Sequence, residues 1–343
     1  MRQLAACLVA PLLALSLFAC NPPPGAPRQD GAIETTTDAG TGRGPDGAGD
    51  GSRSDAVSSG CDAAGCPPTV VASGQSSPCG LTVDSQNVYW TTAAGTVMKA
   101  PIAGGDPTLL ASGQASPCGI AADGPNVYWV NAASMGAVMT VPIAGGEPTK
   151  LTDADGIPWD LAVAGGVLYW TSQSAGTVSR MPEAGGAPTV LADKQGTPVG
   201  VDVTAAAVFW TSVGQSAIRF LPLGDGGTIT TLADGQEAAV SVQVRDGYAY
   251  WADESNGPTR APVGGGPPEL LVADVGAYWV AVDDRDVYWT NGLAGTVARA
   301  PRAGGAPVVL ASGQSLPEKV VVDDRNVYWI DSAVDGAVLK LAK

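Results

Sequence analysis

The sequence predicts an all-β protein, a seven-bladed β-propeller built from four-stranded blades. The main observation is an aromatic doublet, Tyr or Phe followed by Trp, which occurs seven times at intervals of 38 to 41 residues. A strand-like, turn-rich repeat of about 40 residues is what one propeller blade requires. The doublets are Tyr89-Trp90, Tyr128-Trp129, Tyr169-Trp170, Phe209-Trp210, Tyr250-Trp251, Tyr288-Trp289 and Tyr328-Trp329.

Each repeat has the composition of four strands, and residues 77–115 illustrate it. We expect strand A at 78–84, strand B at 87–91 around the doublet, strand C at 95–101 and strand D at 108–111. Strand B is rich in the aromatic and β-branched residues that suit a half-buried pleated surface. A Gly-Gly pair separates strands C and D, because glycine adopts the positive φ angles of tight turns without steric cost. The pairs are at 104–105, 145–146, 185–186, 226–227, 264–265 and 304–305.

The two ends of residues 67–343 predict how the ring closes. The last repeat supplies strands A, B and C at 320–324, 326–330 and 337–341, and no strand D follows. The first repeat is preceded by an extra D-like segment at 68–73. We therefore expect the N-terminal strand to complete the seventh blade, which would hide sheet edges that otherwise invite aggregation.

The doublets also carry a family resemblance. Each is followed two residues after the Trp by a short polar residue, and strand A of the second repeat, residues 119–123, reads Gly-Ile-Ala-Ala-Asp. The first pattern resembles the YWTD repeat of lipoprotein-receptor propellers, and the second is similar to NHL and YVTN repeats. No copy reads YWTD literally, and that receptor family typically has six blades. The resemblance covers residues 67–343 and implies the fold rather than the function.

The N-terminus predicts export and lipid attachment. Arg2 precedes an apolar run at 4–18, and Leu-Phe-Ala-Cys at 17–20 resembles a bacterial lipobox. We interpret residues 1–19 as a signal peptide, with Cys20 lipidated and Asn21 directing the protein to the outer membrane; an ordinary secretory signal is the alternative. Residues 20–66 are rich in Gly, Pro, Ser and Asp, which predicts a disordered tether before the propeller at 67–343.

Composition excludes several functions. The formal net charge of −15 argues against nucleic-acid partners, and the absence of histidine excludes His-dependent catalysis and the common zinc sites. We expect no metal and no cofactor, with calcium as the one ion that carboxylates could hold. Four aspartates recur at the end of strand A, and we interpret them as turn caps rather than calcium ligands: Asp84, Asp123, Asp283 and Asp323.

Four cysteines remain after Cys7 and Cys20. Cys61 and Cys66 would form a short local disulfide. Cys79 and Cys118 occupy the same position in adjacent blades, so they would bond only if their Cα atoms lie within about 7 Å, near the central axis. A disulfide and two buried thiols both remain open for this pair.

The repeats differ most at the start of strand A, where the channel mouth is expected. Most blades carry small or apolar residues there. Three blades instead carry large aromatic or charged residues, two in each blade: Trp159, Asp160, Tyr278, Trp279, Glu318 and Lys319. Aromatic and charged groups converging on one mouth predict a binding site, and the alternative is that they plug the channel. Nearby strand B to C loops would add an acidic rim: Asp253, Glu254, Asp331 and Asp335.

Two functional classes follow. The first is a monomeric, lipid-anchored, non-enzymatic module of the cell envelope that binds a protein, peptide or glycan through the face formed by its D–A and B–C loops. The second is a metal-dependent propeller hydrolase or lyase with its site at the channel mouth. The absence of histidine favours the first.

Overall fold

A computed structural model describes residues 67–224 and 226–343. Seven antiparallel four-stranded sheets form a closed ring, which confirms the predicted seven-bladed β-propeller. The predicted signal peptide, lipidated Cys20, tether and Cys61–Cys66 pair lie outside the described residues.

The chain begins with β1 (Thr69–Gln75) and then repeats strands A to D along each blade. The innermost A strands are β2 (Pro78–Val83), β6 (Pro117–Asp123), β10 (Pro158–Ala164), β14 (Pro198–Val203), β18 (Ala239–Arg245), β22 (Ala277–Val282) and β26 (Pro317–Val322). The B strands are β3 (Asn87–Thr92), β7 (Asn126–Asn131), β11 (Val167–Ser172), β15 (Ala207–Ser212), β19 (Tyr248–Asp253), β23 (Asp286–Asn291) and β27 (Asn326–Asp331).

The C strands lie further out, and a 3₁₀ turn at Val213–Gln215 precedes the fourth of them. They are β4 (Thr96–Pro101), β8 (Gly136–Pro142), β12 (Thr177–Pro182), β16 (Ala217–Pro222), β20 (Gly257–Pro262), β24 (Thr296–Pro301) and β28 (Gly336–Ala342). The outermost D strands, with β1 as the seventh, are β5 (Thr108–Ala111), β9 (Thr149–Ala154), β13 (Thr189–Ala192), β17 (Thr230–Asp234), β21 (Glu269–Leu270) and β25 (Val308–Ala311).

The ring closes as the sequence predicts. Strand β1 pairs antiparallel with β28, so the first strand of the chain completes the blade that contains the last three. Ala72 of β1 is buried in the same apolar cluster as Leu81 and Trp90 of blade 1 and Tyr328 of blade 7. The N-terminal strand therefore supports both sides of the junction.

The doublets explain why the repeat folds this way. Successive side chains of a strand point to opposite faces, so the Tyr and the Trp of one blade enter different interfaces. Tyr89 of blade 1 packs in one cluster with Trp129 of blade 2, and Tyr128 of blade 2 packs with Trp170 of blade 3. The Trp of every doublet is buried. Each doublet thus belongs to the hydrophobic core, where each aromatic residue buries roughly 150–250 Å².

A glutamine that the sequence analysis did not single out anchors these tryptophans. The indole N–H of Trp90 donates to Gln75 Oε1 at 2.8 Å, and the indole of Trp251 donates to Gln236 Oε1 at 2.8 Å. The same bond, always to the residue 15 positions earlier, joins Trp129 to Gln114, Trp210 to Gln195, Trp289 to Asp274 and Trp329 to Gln314. The bond ties the segment before each of these inner strands to the tryptophan of the strand B that follows it.

Three of the four recurring aspartates cap turns. Asp84 Oδ1 accepts the backbone N–H groups of Gln86 and Asn87, and its Oδ2 accepts the Tyr89 hydroxyl at 2.6 Å. Asp283 and Asp323 repeat this arrangement.

The glycine pairs differ from expectation in two details. The segments between strands C and D are longer than tight hairpins, and blade 5 uses Gly265 and Gly266 for the positive φ angles, not Gly264.

Candidate functional site

Each inner strand begins with a β-bulge, and all seven bulges lie at the same end of the ring. We define the upper face as the D–A and B–C loops and the lower face as the A–B and C–D loops. In blade 1, Pro78 pairs with Thr92 but the next pair is Leu81 with Trp90, so Cys79 and Gly80 leave the regular ladder. All seven inner strands shift register at this point. Bulges redirect side chains. Two residues leave the ladder in six blades, and in blade 5 only Val240 does.

The first bulge position closes the channel. Cys79, Cys118, Trp159, Val199 and Val240 form one buried apolar cluster, and Tyr278 packs against it. Cys79 and Cys118 form a disulfide, with their Cα atoms 5.2 Å apart, which links blades 1 and 2 at the axis. Trp159 is only 8% exposed. These residues pack together at the axis of the ring.

The second bulge position divides the blades into two groups. In three blades it is glycine, and a Cβ on Gly119 would lie 2.6 Å from Asp160 Cα and 2.7 Å from the Trp159 carbonyl oxygen. Adjacent inner strands approach this closely because glycine places no side chain between them. The other four blades carry side chains at this position: Asp160, Ser241, Trp279 and Lys319.

A buried ion pair crosses the channel. Lys319 of blade 7 donates to Asp160 Oδ1 of blade 3 at 2.8 Å, and its Nζ lies 4.4 Å from the centre of the Trp279 ring. Asp160 Oδ2 also accepts the Val201 backbone N–H at 3.2 Å. Truncating one member of such a pair leaves a buried charge uncompensated, which typically costs about 3–5 kcal/mol. The pair therefore holds opposite sides of the ring in register.

The structure brings all six predicted residues around one small cavity. Its walls contain Trp159, Asp160, Tyr278, Trp279, Glu318 and Lys319, together with the disulfide. The free space is about 20 Å³, enough for one water molecule. Tyr278, Trp279 and Lys319 are half-buried, and the other three are buried. A ligand of ordinary size would enter only if these side chains moved.

Glu318 is a buried carboxyl group whose pKa is raised. The Ser332 hydroxyl oxygen lies 2.8 Å from both the Pro78 carbonyl oxygen and Glu318 Oε2. The hydroxyl has one proton, which it can donate to the Pro78 carbonyl or to Glu318. Burial raises the pKa of Glu318 to about 7, the hydrogen bond from Ser332 lowers it, and the charge of Asp331 raises it further. Burial therefore outweighs the hydrogen bond and favours the neutral acid below that pH.

This acid makes stability depend on pH. The pKa of Glu318 is 4.5 in its ordinary state and about 7 in the fold, so the folded protein binds more protons between these values. The stability contributed by protonation is therefore lost as the pH rises through 7. We expect Glu318→Gln to raise the free energy of unfolding by about 2–3 kcal/mol at pH 8 and to change it little at pH 4. Chemical denaturation across this range measures the difference.

The exposed Asp335→Asn is the matched control, and its stability should follow the wild-type curve at every pH. A Glu318→Gln variant that is no more stable than wild type at pH 8 would show that the pKa of Glu318 is not raised in the fold.

An apolar patch that the sequence analysis missed lies beside the mouth, on the upper face of blades 6 and 7. Its four side chains are Val275, Leu293, Leu316 and Val334, exposed by 62%, 57%, 37% and 80%. Leu293 packs over Gly276, and Leu316 lies next to Gly292. The Ser332 backbone N–H donates to the Leu316 carbonyl at 2.8 Å, so the loop that carries Val334 is bonded to the loop that carries Leu316. We call these four residues the blade 6–7 patch.

The signal for this patch was present in the alignment of the repeats. At the position of Leu293, four residues after the doublet Trp, the other blades carry small residues: Ala94, Ala133, Ser174, Gly214, Ser255 and Ala333. Single exposed aliphatic residues are normal on protein surfaces, so Leu293 is significant because three other exposed aliphatic residues accompany it.

Only part of the predicted acidic rim is exposed and free of structural hydrogen bonds. Asp253 is 1% exposed and caps its own loop, and Asp331 accepts the backbone N–H groups of Ser315 and Leu316. Asp335 is exposed. Glu254 is half-buried, and burial together with the charge of Asp253 raises its pKa to about 7. Asp253 and Asp331 thus shape the loops, whereas Glu254 and Asp335 border the patch.

Two absences hold for the described residues alone. Within 67–224 and 226–343, no group of three or more Asp, Glu or Cys side chains is placed to hold a metal ion. No helix in the same ranges is long and apolar enough to span a bilayer.

Comparison with known proteins relates this chain to propellers. Virginiamycin B lyase from Staphylococcus aureus has 14% identity and a TM-score of 0.68, covering 81% of this chain and 99% of the lyase. The WD40 propeller domain of Doa1 has 14% identity and a TM-score of 0.66, covering 81% and 97%. A chain of the nidogen/laminin complex has 17% identity and a TM-score of 0.52, covering 65% and 92%. No family model and no curated protein matches the sequence. These likenesses show the fold, which lyases and other propellers share.

Proposed function

We propose that this protein is a monomeric, non-enzymatic binding module that contacts a protein or peptide of the cell envelope through the upper face of blades 6 and 7. The observation that carries the proposal is the blade 6–7 patch, four exposed aliphatic side chains in the upper loops of two adjacent blades. Apolar side chains with a polar border are the usual composition of a recognition surface. Glu254 and Asp335 supply such a border.

The closed mouth supports protein recognition over a small-molecule or glycan site. Ligand pockets typically enclose about 300–1,000 Å³, whereas the mouth has about 20 Å³ of free space. Sugar recognition needs an accessible aromatic face, but Trp159 is buried and Trp279 is covered on one side by Lys319. The aliphatic patch remains as the accessible apolar surface beside this mouth.

The proposal is tested by substitution on the loop surface, where folding is least affected. Leu293→Asp with Val334→Asp should abolish capture of a partner from envelope extract by the purified protein, because each introduces a charge into an apolar contact. Met135→Asp is the matched control: Met135 is 90% exposed on the corresponding loop of blade 2. Partners retained by the double variant, or lost equally by the control, would contradict the assignment to blades 6 and 7.

Attachment to the envelope, on the outer membrane, is part of the same proposal and rests on the lipobox-like residues before Cys20. Lipidation would supply the anchor. Cys20→Ser should move the protein from the membrane pellet to the soluble fraction, and an unchanged distribution would contradict lipid anchoring.

A second candidate, a metal-dependent hydrolase or lyase, is favoured by one observation, the raised pKa of the buried Glu318 at the mouth. A neutral carboxylic acid in an apolar site is a suitable general acid. A solved virginiamycin B lyase with one histidine replaced by alanine is described as catalytically inactive, and this chain has no histidine at all. Calcium that stabilises the protein, with stability lost on chelation, would support this candidate. A melting temperature independent of calcium would count against it.

A further inference from the structure

The fourth blade departs from the repeat on the lower face, at the other end of the ring from the mouth. Its doublet begins with Phe209, where the other six blades have Tyr. Its strand C carries Phe220, where the other blades have a polar or cationic residue: Lys99, Thr140, Arg180, Arg260, Arg299 and Lys340. Both departures therefore replace polar groups by phenyl rings in the same blade.

The cation that Phe220 replaces joins neighbouring blades. Lys99 of blade 1 donates to the Ile143 carbonyl of blade 2 at 2.6 Å, and Lys340 of blade 7 donates to the Ile102 carbonyl of blade 1 at 2.5 Å. Arg260 of blade 5 donates to the Arg302 carbonyl of blade 6 at 2.5 Å. Phe220 has no donor, so the junction between blades 4 and 5 lacks this bond.

A cleft occupies that junction. Phe209 and Phe220 stack with their ring centres 5.4 Å apart and their planes at 21°. Phe209 is buried in the core between blades 4 and 5, whereas Phe220, Val244 and Val263 are half-buried. The cleft encloses about 410 Å³, within the range of about 300–1,000 Å³ that ligand sites occupy. It is therefore large enough for a small molecule, unlike the mouth.

The charges at the rim are already compensated. Arg245 donates through Nε to Asp284 at 3.1 Å, and Asp246 accepts from Arg302 at 2.6 Å. The hydroxyl of Thr204 bonds to the backbone of Ala206 and Ala207 in its own turn. The remaining lining is mostly apolar, with Ala207, Phe209, Phe220, Val244 and Val263 among its members. A charged ligand would find no uncompensated partner there, but a neutral apolar one would bury its surface favourably.

We propose that the cleft between blades 4 and 5 is a binding site for a small uncharged molecule with an aromatic ring, which packs against the exposed side of Phe220. The site lies on the lower face, so it is independent of the partner surface on blades 6 and 7. Ring stacking of this kind adds to simple area burial, which gives an aromatic ligand an advantage over an aliphatic one of equal size.

The probe for this site is N-phenyl-1-naphthylamine, a neutral aromatic amine whose fluorescence rises in apolar surroundings. We expect saturable binding to the wild-type protein and at least tenfold weaker binding to Phe220→Lys. That substitution restores the residue found in blades 1 and 7, and its ammonium can reach the Val263 carbonyl, so the fold should be retained. Val263→Trp, which fills the cleft from the opposite wall, should weaken binding as well and serves if Phe220→Lys does not fold.

Two controls separate this site from other apolar surfaces. Val190→Lys changes an exposed valine on the outer strand of blade 3 and should leave probe affinity unchanged. The double variant Leu293→Asp with Val334→Asp disrupts the blade 6–7 patch and should also leave probe affinity unchanged. The inference is overturned if the wild type does not bind the probe, if both cleft variants bind it normally, or if the blade 6–7 variant alone loses it.

Discussion

Gly119→Ala should lower the free energy of unfolding by about 3 kcal/mol. The added Cβ would lie 2.6 Å from Asp160 Cα, 2.7 Å from the Trp159 carbonyl oxygen and 2.8 Å from the Leu161 nitrogen. All three are backbone atoms, which cannot swing aside as a flexible side chain can. Blades 2 and 3 would have to separate at the axis, where the buried apolar cluster and the Lys319–Asp160 pair hold the ring. Urea denaturation monitored by tryptophan fluorescence measures the loss.

The matched control is Gly264→Ala. Gly264 lies in the C–D loop of blade 5, has no positive φ angle, and an added Cβ would meet no atom within 4 Å. We expect its stability to stay within about 0.5 kcal/mol of wild type. Equal stabilities for the two variants would show that adjacent inner strands are not in close contact at Gly119.

Removal of β1 should have the second large effect. A protein that starts at Ser77 lacks the outer strand of blade 7, so the edge of β28 is left unpaired and the Ala72 contact with Trp90 and Tyr328 is lost. We expect a melting temperature lower by roughly 10 °C or more, because each kcal/mol shifts it by about 2–4 °C in a domain of 150–250 residues. Exposed sheet edges should also cause association.

The comparison protein starts at Pro67 and keeps β1. It should melt as the full chain does and remain monomeric in light scattering. If the protein starting at Ser77 melts at the same temperature and is equally monomeric, the ring does not depend on closure by its N-terminal strand.

The fold was predictable because every blade uses the same aromatic doublet to pack against its neighbours. One Tyr-Trp doublet per blade fixes the blade count, and the unmatched D-like segment before the first repeat indicates the closure. The Gln75-to-Trp90 type of bond also recurs, but it joins residues 15 positions apart in different elements, and composition alone does not indicate such a pairing. The repeats therefore predict backbone architecture better than they predict side-chain bonding.

The candidate sites were less predictable. Alignment of strand A identified Asp160 and Lys319 as departures from the repeat, but their ion pair spans the channel and depends on side-chain reach. The raised pKa of Glu318 depends on its burial, which only the folded structure shows. Leu293 and Phe220 become visible as departures only when the B–C loops and C strands are aligned as carefully as strand A. The proposed binding roles of Leu293 and Phe220 depend on their exposure to solvent, which only the folded structure shows.

We propose that the upper face of blades 6 and 7 contacts a partner in the cell envelope. Photo-cross-linking in living cells tests this contact, with p-benzoylphenylalanine placed at position 293 or, as the matched site, at position 135. We expect a discrete cross-linked species from position 293 that is absent from position 135 and is lost when Val334→Asp is added. Cross-links of equal yield from both positions, or none from position 293, would contradict it.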